Sequence, residues 1–401
     1  VALLLALPTT GMGADLPDKV RLAFNRVPVL EGLADNGSLA HIACIFTALD
    51  LSYETQAIPW RRARQEVIKG SLDGYFTALP QRNIDRYAQL SRPLVLENWY
   101  WFWHADRPKP DSWRAESVRL GAILGSHQAD LLGEEGYTLE VEVAGLPQLI
   151  RLLASDRIDA LVADKEHFEE LVTQLAMAPG WYRYDFFRYV PLGVYFGNHF
   201  LTDHPGFLDS FNHAIHGCAP EGFQLSPYES ARVKEQVLPL LYEWRYLPQL
   251  QHAVRAQNRR HQGITTAEIV AWDNRWIDEF QRGTREFSAA LLTNPLSQTL
   301  RGLQYASDGL ITEIIVMDEH GLNVGVSKMT SDYWQGNEEK YQLTFGYSPE
   351  TVFVDDVRYD ESTQRFQVQV NIPLYDPDEQ TPIGAITVGV DIEEALINGR
   401  Q

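Results

Sequence analysis

Ile158-Asp159-Ala160-Leu161-Val162-Ala163-Asp164 is a short, nearly unbroken apolar run that ends on a carboxylate. A run of that length and character suits a strand covered on both faces by helices. Outward from it, Val118-Arg119-Leu120-Gly121-Ala122-Ile123-Leu124, Leu72-Asp73-Gly74-Tyr75-Phe76-Thr77-Ala78, Thr55 to Ile58 and Val20-Arg21-Leu22-Ala23-Phe24 also read as strands. Between them, Ser38 to Leu49 places Leu39, Ile42, Ala43, Phe46 and Leu49 at helical spacing, and Trp60 to Lys69 reads as a second helix. Strands alternating with helices from Lys19 to about Cys218 predict an α/β fold with a mainly parallel sheet. Arg107-Pro108-Lys109-Pro110-Asp111 interrupts the pattern, because its prolines lack amide donors, and marks a lobe boundary. Tyr189 to Phe196 reads as the strand that returns to the first lobe.

The C-terminal third has another rhythm. Ile269, Trp272, Trp276, Ile277, Phe280 and Phe287 fall at helical intervals, so a long amphipathic helix opens it. Asp318-Glu319-His320-Gly321 is a turn between two strands; Phe366, Val368, Val370 and Ile372 alternate with polar residues, and Ile383 to Val390 continues in period two. A helix on an antiparallel sheet follows. The polar, basic stretch from Pro248 to Gly263 reads as a solvated connector helix or linker. No internal repeat is evident.

With 401 residues, 45% of them hydrophobic, the chain suits two globular units. Its formal charge of −20 repels nucleic-acid and acidic lipid phosphates. The opening Val1-Ala2-Leu3-Leu4-Leu5-Ala6-Leu7-Pro8 reads as a secretory apolar region cleaved after Ala14, with a buried strand as its alternative. Nothing later reaches the roughly 18 apolar residues of a membrane span, and the closing Ile397-Asn398-Gly399-Arg400-Gln401 reads as an end. Cys44 and Cys218 are either one bridge or two buried thiols. His213 and His216 read as surface histidines; no metal or cofactor is expected.

Pro59-Trp60-Arg61-Arg62-Ala63, then Asp73-Gly74-Tyr75-Phe76 with Ser91-Arg92-Pro93-Leu94, then the run ending at Asp164, together resemble the family-3 bacterial solute-binding proteins. The resemblance implies a two-lobed periplasmic-binding fold over 18–246, with lobe 1 at about 18–107 and 196–246 and lobe 2 at about 108–195. It implies a cleft ligated by Trp60, Arg62, Tyr75, Thr77, Arg82, Trp99, Trp101, Ser126 and Asp164. Gly125-Ser126 matches the backbone amides offered to an anion, and Asp164 the acid that meets a ligand amine, or else a helix N-cap. Arg62 reaches the cleft or lies solvated; Trp99 and Trp101 are core, or stack on the ligand. The family's carboxylate-gripping Arg falls on Ile84, so Arg82 or Arg86 serves only through a shifted loop.

Thr330-Ser331-Asp332-Tyr333-Trp334-Gln335-Gly336, the leading helix and the closing Val370 to Ile392 strands resemble a single Cache domain of the PDC sensor type, placed at 264–397 after a 247–263 linker. This implies a PAS-like α+β fold whose pocket is walled by Asp332, Tyr333 and Trp334, with a plain capped turn as the alternative. No nucleotide loop or nucleophile elbow appears. The expected function is a periplasmic, non-enzymatic binder of a small polar solute such as an amino acid, sensory or transport-accessory, partnered by a membrane transporter or sensor kinase. One alternative is the extracytoplasmic sensing region of a membrane-anchored receptor. The other is a cyclic-acid dehydratase-like enzyme using Asp164 as general acid.

Overall fold

The computed structural model describes residues 17–24, 38–81, 83–218, 223–360 and 365–397. The expected leader (1–14) and Arg82 lie outside them. The chain divides into two compact units, Val1–Glu221 and Gly222–Gln401.

The first unit runs β1 (Lys19–Phe24), α1 (Ser38–Ala48), β2 (Ser52–Ala57), α2 (Trp60–Lys69), β3 (Gly74–Ala78), β4 (Ala88–Leu90), β5 (Val95–His104), β6 (Leu120–Ile123), α3 (His127–Glu134), β7 (Leu139–Val143), α4 (Leu146–Ala154), β8 (Ala160–Asp164), α5 (Lys165–Gln174), β9 (Tyr182–Gly197), α6 (Asn198–Asp203) and α7 (Phe207–Cys218). Its strands join in the order β2-β1-β3-β9-β5-β8-β6-β7, with β4 also on β9. The helix-strand alternation holds, but the sheet is mixed. β1 pairs parallel with β2 and β3, and β6 with β7 and β8, whereas β3, β4 and β5 all pair antiparallel with β9, and β5 with β8. Each lobe is thus a small parallel sheet. The chain passes between lobes along the long strands β5 and β9, which run against their neighbours and account for the antiparallel share.

Both lobes are pinned by the same device. Asp73, just before β3, accepts from the Arg21 backbone N at 2.7 Å, from Nε at 3.1 Å and from Nη2 at 2.6 Å. Asp159, just before β8, accepts from the same three donors of Arg119 at 2.8, 3.1 and 2.7 Å. A planar guanidinium fork on a carboxylate fixes register as well as charge. The Asp-Gly and Asp-Ala motifs are therefore strand staples. Gly74 follows because a Cβ there would sit 2.6 Å from the Tyr195 carbonyl oxygen. Of the two readings left open for the cysteines, the bridge is the one formed: Cys44 on α1 is bonded to Cys218 on α7, Cα to Cα 5.5 Å.

The second unit runs α8 (Pro227–Trp244), α9 (Pro248–Arg260), α10 (Thr266–Arg282), α11 (Ala289–Leu292), α12 (Pro295–Ala306), β10 (Ile311–Asp318), β11 (Asn323–Val326), α13 (Glu339–Gln342), β12 (Phe353–Val354), β13 (Arg358–Asp360), β14 (Arg365–Tyr375), β15 (Pro382–Asp391) and α14 (Ile392–Ile397). Its sheet has the order β11-β10-β15-β14-β12, with β13 on β14 and every pairing antiparallel. That matches the antiparallel α+β expectation. The unit starts earlier than expected, however. Residues Pro227–Trp244, assigned to lobe 1, pack on β14 and α14 through a stripe of Val233, Val237, Leu241 and Trp244. The expected linker is α9, which buries Leu250 and Val254 one turn apart against the sheet and sends Gln257 Nε2 to Asp318 at 3.0 Å. Two apolar residues among many polar ones look solvated in sequence, yet suffice to bury one helix face. Helix α10 begins at a Thr265/Glu268 capping box and stops at Gly283, so Phe287 lies beyond it.

Candidate functional site

In the first unit, two helix faces meet across the lobes. Trp60 opens α2 with Arg64 one turn on, while His127 opens α3 with Asp130 three residues later, so each pair shares a helix face. The Trp60 and His127 rings lie 4.1 Å apart, and Arg64 Nη2 reaches Asp130 Oδ2 at 3.1 Å. Arg64 Nη1 also donates to Gln81 Oε1 at 2.9 Å. His127 Nε2 lies 2.8 Å from the Thr77 carbonyl oxygen. A carbonyl only accepts, so Nε2 carries the proton. Burial pushes the His127 imidazole down to about 4, against the opposing pull of the Thr77 bond, which keeps the ring neutral.

Thr77 reaches His127 because it bulges. The β3/β9 register breaks between Phe76 and Ala78, and Thr77 sits at φ 55°. A left-handed conformation at a β-branched residue costs about 1–3 kcal/mol and clusters at sites where a backbone group must be presented. The Trp60 indole Nε1 is buried with no hydrogen-bond partner among the described residues.

The other expected cleft residues are distributed differently. Ser126 caps α3, its Oγ accepting from Ala129 N at 3.1 Å. Asp164 caps α5, one oxygen accepting from His167 N at 3.0 Å and the other from Asn98 N at 3.2 Å. The bond from His167 makes Asp164 the helix N-cap given as its alternative, and Ser126 is an N-cap as well, a use not expected from the sequence. Arg62 is exposed on α2. Tyr75 is buried, stacks on Tyr195 at 5.6 Å and belongs to the core of lobe 1. Trp99 and Trp101 are core as well, with Trp101 stacked on Trp113 at 4.8 Å. Of the two uses given for these rings, both are placed as core. Trp99 Nε1 donates to Glu97 Oε2 at 2.7 Å. Burial first, then the charge of Asp164, raises the Glu97 carboxyl to about 7.

Sequence reasoning missed Arg64, His127 and Asp130. Their only signal was spacing: Trp-x-x-x-Arg on one predicted helix, and His-x-x-Asp just after Ser126.

The second unit holds a cavity of about 460 Å³ bounded by α9, the residues from α10 to α12, β11 and Tyr333. Trp276, buried and donating its indole N–H to the Thr330 carbonyl at 2.8 Å, forms one wall and stacks on Tyr333 at 5.5 Å. Of the three expected pocket residues, Tyr333 lines the cavity. Asp332 and Trp334 build the loop that carries it. The Asp332 carbonyl accepts from Thr330 Oγ1 at 2.6 Å and from Asn323 Nδ2 at 3.0 Å, while Trp334 Nε1 donates to the His320 carbonyl at 3.0 Å. Asp273 of α10 accepts from the backbone N of Tyr333 at 2.9 Å and of Trp334 at 3.0 Å, tying loop to helix. Behind the cavity, the fully buried Asp318 accepts from Gln257, from His261 Nδ1 at 2.8 Å and from the amides of His320 and Leu322. His261 and Gln257, both within the stretch expected as a linker, line the cavity.

No family model and no curated protein matches the chain. Solved structures align with about half of it. One is a histidine kinase sensor domain with similarity to periplasmic binding proteins, at 14% identity, covering 49% of this chain and 89% of that one, TM-score 0.42. Another is the GluR0 ligand-binding core from Nostoc punctiforme in complex with (L)-glutamate, at 15% identity, 49% and 92% coverage, TM-score 0.41. A third is an ABC uptake transporter substrate-binding protein from Streptococcus pneumoniae with bound histidine, at 15% identity, 50% and 86% coverage, TM-score 0.40. The fold described above stands on its own strand order and register.

Proposed function

We propose that this chain is a periplasmic small-solute receptor, sensory or transport-accessory, with one binding site between the lobes of its first unit and a second in a Cache-like unit. The observation that carries the reading is the seam of Trp60, Arg64, Thr77, His127 and Asp130, built from both lobes and leaving a buried indole N–H without a partner among the described residues. Such a donor costs about 1–3 kcal/mol unless something accepts from it. A polar solute held between lobes that open and close about β5 and β9 would do so. The sheet order of the second unit, and the Thr330–Gly336 loop tied to α10, support the sensor-module reading. Among the described residues no helix is long and apolar enough to cross a membrane.

Asp164 has both carboxylate oxygens engaged by backbone amides, which favours a receptor over a dehydratase that would need it as an acid. The test is calorimetric titration of the full chain with amino acids, polyamines, dicarboxylates and prephenate-like acids, with product analysis. Binding without turnover, weakened about tenfold or more by Trp60→Ala, is the expected result. Product formation would overturn the receptor reading, and an affinity unmoved by Trp60→Ala would take the site away from the seam.

A further inference from the structure

The wall of the second unit's cavity has the opposite electrostatic character to the chain that builds it. Asp and Glu outnumber Lys and Arg by 54 to 34 in the sequence. Yet none of the described residues lining the cavity is acidic, while Arg260, His252 and His261 are among them. Three carboxylates touch lining residues from behind, each already engaged: Asp318 by Gln257, His261 and two backbone amides, Glu279 by the Phe287 and Ser288 amides, and Asp273 by the Tyr333 and Trp334 amides. Arg260, the last residue of α9, is exposed and held by Nε on the Ala256 carbonyl at 3.4 Å, one turn back on its own helix. The apolar part of the lining includes Trp276, Phe287, Leu291, Leu296 and Val324.

From this lining we infer that the cavity takes a small organic anion with an apolar body, its carboxylate or equivalent on Arg260 and its body against Trp276 and Phe287. The inference rests on the reading of the second unit as a binding unit and adds the class of ligand. An exposed cation at the rim draws the anion in and orients it, while the buried apolar wall supplies most of the affinity through area removed from water. A cation of the same shape meets Arg260 and two imidazoles with no carboxylate in the lining itself to pair with, so it is rejected. A volume of about 460 Å³ lies within the range of small-molecule pockets.

Three probes of matched shape separate the terms: phenylacetate, 2-phenylethanol and phenethylamine, titrated calorimetrically into the full chain. Phenylacetate is expected to bind about tenfold or more tighter than 2-phenylethanol, with phenethylamine weakest. Arg260→Gln should drop phenylacetate to the level of the alcohol. Ala290→Phe, which fills the cavity from its wall, should abolish binding, and Ala253→Phe repeats that test from α9 if the first variant does not fold. Phenethylamine binding as well as phenylacetate, or an Arg260→Gln variant with unchanged phenylacetate affinity, overturns the anion inference while leaving the cavity a binding site. Failure of all three probes overturns the inference and the second unit's binding role together.

Discussion

The seam of the first unit and the cavity of the second are built in opposite ways. At the seam, side chains of one lobe meet side chains of the other: Trp60 lies on His127, Arg64 on Asp130, and the Thr77 carbonyl on the His127 ring. In the second unit the walls bound a half-open space, and the polar groups behind them are satisfied from within, with Asp318 as the hub. A solute entering the seam has to replace contacts the protein already makes, so its affinity is set by a difference between two sets of contacts. A solute entering the cavity displaces only water, so its affinity follows wall area and charge.

The sharpest way to break that contrast is Trp276→Ala. Trp276 is fully buried and holds the Thr330 carbonyl, so its removal should cost about 3–5 kcal/mol in urea unfolding and collapse or enlarge the cavity. A loss below about 1 kcal/mol would mean the wall is not packed as described. Next is His127→Phe, which keeps a ring against Trp60 but gives up the bond to Thr77 and should cost about 1–2 kcal/mol.

The same variant has a pH signature. In the folded chain His127 titrates at about 4 against 6.5 for the free group. The unfolded chain therefore binds the extra proton first, and stability falls as pH drops from 6.5 through 4. Unfolding midpoints of His127→Phe at pH 7 and pH 4.5 should lack that component. Glu97 acts with the opposite sign. Its folded carboxyl stays protonated up to about 7 against 4.5 for the free group, so stability falls as pH rises from 4.5 through 7. Each contributes at most about 1.4 kcal/mol per pH unit and the two oppose each other over most of that window. Glu97→Gln should therefore tilt the profile toward higher stability at pH 7, and His127→Phe toward higher stability at pH 4.5. Tilts of the same sign would refute one of the two burial assignments.

The smallest effect belongs to Asp130→Asn. It weakens a partly exposed ion pair and should cost only about 0.5–1 kcal/mol, while changing the affinity of any seam solute more than the stability. Equal effects on both would make Arg64–Asp130 a structural tie.

Periodicity made most of the architecture legible. The strands at Val20, Tyr75, Val118 and Leu161, the α1, α2 and α10 helices, the Asp318–Gly321 turn and the β14 and β15 strands all follow from local pattern. The site residues were less legible. Trp99, Trp101 and Tyr75 are the aromatic types that stack on ligands, but the same rings fill cores, and only burial distinguishes the two uses. Asp164 and Ser126 are of types that cap helices as readily as they meet ligands, and both accept an amide bond at a helix start. The α9 segment looked solvated because its stripe is two residues wide, and its value as a cavity wall depends on β10 and β11 lying beneath it.

By itself, the sequence determined the helices at Ser38, Trp60 and Thr266, the strands at Val20, Gly74, Leu120 and Ala160, and that an α/β part precedes an antiparallel one, since those follow from the spacing of apolar residues along the chain. Only the tertiary structure decided that Val20-Arg21-Leu22 and Val118-Arg119-Leu120 are stapled alike, that α8 and α9 belong to the second unit, and that His127 meets Thr77 fifty residues away. Contacts between segments distant in sequence leave no local periodicity. They exist only once both partners are fixed in space.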